Sequence, residues 1–167
     1  NPSIYKNVSS ASELTTSHMY EASSMRKQGE TDGHFIIHMS INYDFLETLE
    51  LDLLAGRSFS KEYTDTAHVR YILNETAMKN LGWQKPDEAI GEHVEFLSNT
   101  EDNKTGEVIG VVRDFYFKSM HQEIEPLAFK LNPAKLSYLY IRVKPDKKSE
   151  AVTYLSNLWS NKYPETE

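Results

Sequence analysis

At 167 residues, with 39% hydrophobic and 26% charged residues, the chain has the size and make-up of one folded domain and not of a disordered segment. A formal net charge of −7 excludes nucleic acid and anionic membrane surfaces as its main partners. The absence of cysteine removes disulfides, thiol nucleophiles and cysteine-ligated zinc from consideration.

Residues 3–28 are rich in Ser and Thr, and loose alternation at 4–8 and 14–20 predicts weak strands separated by turns. The turn cluster QGETDG at 28–33 follows. Residues 34–43 alternate, with Phe35, Ile37, Met39 and Ile41 on one face of a predicted strand. Asp44 and Glu47 match a capping box that starts a short helix, after which 51–59 is extended or looped through Gly56. Residues 69–73 read as a strand, and Asn74 caps a helix over 75–81. Gly82 is placed to end that helix in the left-handed conformation, with Trp83 returning against Met78.

Residues 86–91 read as a loop, 93–96 as a strand and 97–106 as a polar connection. A strand over 107–117 would carry Ile109, Val111, Phe115 and Phe117 on one face and Val108, Gly110, Val112 and Tyr116 on the other. Both faces are apolar, as in a central strand covered on two sides. Ser119 and Gln122 form a second capping box, and Glu125-Pro126 stops the turn it begins. Residues 136–143 read as a strand and 145–148 as a turn. A helix over 149–163 carries the stripe Ala151, Leu155, Leu158 and Trp159. The basic cluster Lys144, Lys147 and Lys148 falls on that solvated turn. Strands mixed with fewer helices give an α+β class. No apolar run nears the ~18 residues of a membrane-crossing helix, and the start at Asn1 leads to the expectation of a soluble piece of a larger protein.

Each candidate for chemistry has a plainer structural reading. His34 and His38 lack a third ligand at a zinc spacing and fit a half-exposed strand. Ser58 lies in no nucleophile elbow, and Gly106 and Gly110 in no phosphate loop. Asn7, Asn74 and Asn103 open N-x-[ST] triplets, with Asn74 better read as a cap. Arg113 and Asp114 fall on opposite faces near the end of the 107–117 strand, so they do not pair with each other, and Asp114 reads as an acceptor of backbone amides and not as an acid or base. His121, Glu123 and Glu125 diverge and do not share a metal. The reading therefore names no catalytic, cofactor-binding or metal residues.

Four motifs in order carry a resemblance. NYDFLETLELDLLAGRSF (42–59), ILNETAMKNLGW (72–83), the Ala89-Ile90-Gly91 triplet, and EVIGVVRDFYFKSMHQEIEP (107–126) resemble the MacB-like periplasmic core domain of FtsX-like ABC transporter permeases. The resemblance implies an α+β fold with a βαβ-type porter-like lobe, here 1–43 plus 107–167, and a smaller inserted lobe, 44–106, within one extracytoplasmic domain spanning 1–167. It implies no enzymatic activity and no cofactor. It also implies a bacterial inner-membrane protein whose domain faces the periplasm and couples cytoplasmic ATP hydrolysis to export or mechanical work. The implied partners are an ATPase subunit reached through transmembrane helices, a second permease copy, and a periplasmic accessory protein or a peptide or lipoprotein substrate. Asn1 and Glu167 would then lie together at one end. The alternative reading is a periplasmic module that senses or binds a peptide or antimicrobial.

Overall fold

The computed structural model describes residues 3–15, 20–63, 68–97, 104–117 and 123–164. Nine strands hydrogen-bond into one sheet: β1 (Tyr5–Ala11), β2 (Glu21–Lys27), β3 (His34–Ile41), β4 (Leu53–Gly56), β5 (Arg70–Asn74), β6 (His93–Leu97), β7 (Lys104–Val112), β8 (Leu127–Leu131) and β9 (Tyr138–Val143). Among the described residues four α-helices accompany them: α1 (Phe45–Leu49), α2 (Glu75–Asn80), α3 (Pro86–Ala89) and α4 (Lys148–Lys162). The class is α+β, as the sequence predicts.

Six of the strands close on themselves. The pairings run β2 to β6, β6 to β7, β7 to β5, β5 to β8, β8 to β3 and β3 back to β2. Strands from both sides of residue 44 and of residue 106 share this ring. The parallel pair of β5 and β7, joined through α2, is a βαβ-type unit with α3 and β6 in its crossover. Closure leaves ring strands without a free edge over their shared lengths, which removes a template for stray pairing.

Phe96 of β6 shows that the ring is filled. Its ring centroid lies 4.8 Å from that of His38 on β3 and 6.4 Å from that of Tyr71 on β5. Lys130 of β8 sets its ammonium 5.0 Å from the same aromatic centroid. None of these strands is β6's neighbour, so the contacts cross the interior. Met25, Ile36, Leu73, Val94, Val108, Val111 and Ala128 belong to this core, and Ala77 and Met78 of α2 join it with Leu81 and Trp83 just beyond the helix.

A second core lies on the other face of β3, β5, β7 and β8. There Ile37, Met39, Ile41, Ile72, Ile109, Val112, Leu127 and Phe129 meet Phe45 and Leu46 of α1, with Phe59 and Phe117. β1 and β9 extend the sheet beyond β3, and β4 pairs with the end of β7.

Local signals in the sequence are read with mixed success. Asn74 caps α2 through its side chain, and Gly82 takes φ 91°. Gly82 N donates to the Lys79 carbonyl and Trp83 N to the Met78 carbonyl, completing the expected helix end. Asp44 does not act as a cap: its φ is 60°, and its side chain bonds no first-turn amide. A capping side chain typically works from extended backbone; at Asp44 only the carbonyl takes part, accepting from the Thr48 amide and hydroxyl.

The predicted loop 86–91 contains α3, with Pro86 in its first position and the Glu88 carboxylate accepting from the Gln84 and Lys85 amides. The strand predicted over 107–117 starts earlier and stops at Val112. A register shift where β7 meets β5 also changes its facing, so Val111 joins Val108 in the ring core and Ile109 joins Val112 in the other. The prediction that both faces are covered stands. β8 went unpredicted. On α4 the expected stripe is only partly used: Ala151 is buried, whereas Leu158 and Trp159 are exposed.

Candidate functional site

The four motif segments are spread over residues 42–126 and meet around β7. The first arrives through Gly56, whose φ of 76° and close approach to β7 leave no room for a side chain. A Cβ there would strike the Ile109 carbonyl oxygen and come within 2.8 Å of Ile90 Cδ1. The following residue, Arg57, donates its amide to the Ile109 carbonyl at 2.8 Å and sets its guanidinium 4.1 Å from the Tyr63 ring centroid. Phe45, Leu46 and Phe59 of the same motif are core residues.

The third segment holds β7 nearby. Gly91 N donates to the Val108 carbonyl at 2.9 Å, and Val108 N donates to the Glu92 carbonyl at 2.8 Å. Ala89 is fully buried beneath this contact.

The second and fourth segments join through a polar junction. Asn74 is completely buried. Its carboxamide oxygen accepts from Ala77 N and from Leu127 N, both at 2.9 Å, while its nitrogen donates to the Glu125 carbonyl at 2.9 Å. One side chain thus ties the end of β5, the start of α2 and the entry to β8. Asp114, just past β7, accepts from Thr76 N at 3.0 Å and from the Thr76 hydroxyl at 2.8 Å. In return Asp114 N donates to the Glu75 carboxylate at 3.1 Å. These bonds turn the chain away from the sheet after Val112, which is why the strand ends there.

This junction is a set of satisfied donors and acceptors and not a reactive centre. Asp114 accepts a backbone amide as the sequence predicts, although that amide belongs to α2 and not to its own turn. Arg113 points elsewhere, to Asp52 at 3.2 Å, so the adjacent pair do not bond each other. His34 and His38 both lie on β3 as expected, but the strand is buried from Ile36 to Ile41 and not half-exposed. His38 is buried, with Nδ1 3.5 Å from a Glu21 carboxylate oxygen. Among the described residues no group of three potential ligands converges on a metal position. Ser58 offers its carbonyl to Arg57. Gly106 and Gly110 are sites of close packing, the first against Tyr71 and Val69 and the second against the Arg57 carbonyl. His121, the capping box at 119–122, Asn103, Asn1 and Glu167 lie outside the described residues.

Shifted acidities lie away from the junction. Burial and the Glu21 carboxylate raise the Glu13 pKa, and burial raises that of Tyr140. The Gln84 and Lys85 amides lower that of Glu88, and Glu150 raises that of Lys147.

No protein-family model and no curated protein sequence matches the chain. Solved structures do. The periplasmic region of MacB from Actinobacillus actinomycetemcomitans superposes with a TM-score of 0.65 at 16% identity, over 95% of this chain and 68% of that one. This chain has the MacB-like periplasmic domain fold. The extracellular domain of YknZ, a noncanonic ABC-type transporter from Gram-positive bacteria, gives 0.64 at 17% identity over 98% of this chain and 79% of that one. A domain described as a permease protein from Porphyromonas gingivalis gives 0.64 at 14% identity over 98% and 72%. Two of these neighbours are periplasmic or extracellular domains, and the third is a permease domain. The MacB-like fold was therefore legible in four short motifs whose residues the structure gathers around one strand.

Proposed function

We propose that this chain is a non-catalytic, extracytoplasmic domain of an ABC transporter permease in a bacterial inner membrane. In this reading it relays movement driven by ATP hydrolysis in a cytoplasmic partner to export or mechanical work outside the membrane. The observation that carries the reading is the MacB-like fold over nearly the whole chain. The junction supports it, because a relay needs connections that do not yield separately. β7 is gripped along its length by backbone bonds from two segments and at its end by Asp114, so a displacement of one is passed to the others.

The chain contains no cysteine, so Tyr116→Cys, at a side chain 54% exposed, creates a unique thiol in the domain. In the full reading frame, with any native cysteines elsewhere replaced, a membrane-impermeant maleimide should label it in intact spheroplasts. The labelling rate should differ between nucleotide-free and vanadate-trapped transporter. Labelling only after lysis overturns the location, and identical rates in the two states overturn the relay.

A further inference from the structure

β9 has one strand neighbour. It pairs with β1 and, among the described residues, with no other strand, so alternate N–H and C=O groups along its outer edge face away from the sheet. A groove of about 450 Å³ runs beside it, within the size range of ligand sites. Residues 140–143 all line this groove, although side chains of a strand alternate between faces. The groove therefore runs along β9 itself, the strand that has β1 alone as a strand neighbour among the described residues.

The two walls come from different helices. Ala151, Val152 and Leu155 of α4 form one, and Thr48 and Leu49 at the end of α1 contribute the other. Arg142 fixes that second wall by donating to the Thr48 carbonyl and pairing with Glu50 at 2.9 Å. The α4 wall is apolar, with Ala151 buried and Val152 65% exposed. Lys148 also lines the groove, and among the described residues it has no ionic partner, whereas its neighbour Lys147 is held by Glu150 at 2.7 Å.

We propose that this edge is a docking slot for an extended segment of a partner protein, which joins β9 as an additional strand. Main-chain hydrogen bonds to β9 hold the segment. Alternate apolar side chains lie against Val152 and Leu155, and acidic side chains between them face Lys148. The charges argue for a partner and against a second copy of this chain. The β9 strand of a second copy and its flanks, residues 127–145, carry no acidic side chain to face Lys148. An acidic segment offers Lys148 the partner that a second copy lacks, on an otherwise acidic chain.

The test is titration of the isotope-labelled chain with a short peptide of alternating valine and glutamate, followed by amide shifts and hydrogen exchange. Alternate β9 amides should shift and exchange more slowly. Val152→Glu, at an exposed position that leaves the fold intact, should weaken binding by about tenfold or more. A peptide N-methylated along its pairing edge should not bind, and one with lysine for glutamate should bind more weakly. The proposal is overturned if the valine–glutamate peptide fails to bind up to millimolar concentration. It is equally overturned if the N-methylated peptide binds as well, or if the shifts fall outside β9, α4 and the end of α1. Protection of the β9 edge by a dimer in the free chain would also overturn it.

Discussion

The carboxamide of Asn74 accepts two amides and donates to a carbonyl, at a position with no solvent exposure. Truncating it to alanine leaves the amides of Ala77 and Leu127 buried without partners, a loss larger than that of an ordinary helix cap. Asn74→Ala should lower the unfolding free energy by about 2–4 kcal/mol in urea denaturation. A loss under about 1 kcal/mol would mean the junction is not rigid, because relaxation would have re-satisfied those groups. Glu13 makes a contrasting case. Its folded pKa is raised, so the folded state holds the proton more tightly than the unfolded chain. The associated stability is present below the ordinary carboxylate pKa and lost as pH rises through the raised value. Glu13→Gln should therefore be slightly more stable than the parent at neutral pH, on the order of a few tenths of a kcal/mol after screening. That gain should vanish in acid, and an advantage that persists there would exclude a charge effect.

At the scale of elements, Gly56 is the clearest case of a residue type dictated by its place. It combines a left-handed φ of 76° with backbone of β7 where a side chain would stand. Gly56→Ala should destabilise by about 2–4 kcal/mol, from conformational strain near 1 kcal/mol together with displacement of β4 from β7. Thermal unfolding would show it, and an unchanged midpoint would mean that β4 is dispensable to the fold. What could be read from the sequence follows the range of the forces involved. The cap, helix and glycine stop around α2 are set by neighbours within four residues, and they were legible to within one residue at the helix end. Asp44 satisfied the same pattern but is held left-handed by its surroundings, so the local rule failed. β8 was missed because LAFKL has no β-branched residue and no clean alternation. It is a strand because β3 and β5 pair with it on both edges. The junction was half legible: Asn74 as a cap and Asp114 as an amide acceptor were predicted. Their partners across 38 and 53 residues could not be, since no local pattern encodes them.

For the molecule as a whole, ring closure makes an argument about cooperativity. Each of the six strands is paired on both sides, so none can leave without breaking two ladders. The interior is bridged by Phe96, which is 4% exposed and touches His38, Tyr71 and Lys130 from three other strands. Phe96→Ala removes those bridges and opens a cavity that the closed ring cannot easily collapse. The expected cost is about 3–5 kcal/mol, a large share of the roughly 5–15 kcal/mol that keeps a typical domain folded. Trp159→Ala, at a side chain 59% exposed near the end of α4, should cost well under about 1 kcal/mol by comparison. The pattern of the loss matters more than its size. If the ring is one cooperative unit, hydrogen exchange in β2 and β3 and in β5 and β7 should accelerate together in Phe96→Ala, by a similar factor. Faster exchange confined to β2 and β6 would show that the ring opens at a seam, and a domain with such a seam could not pass a displacement around its full circumference.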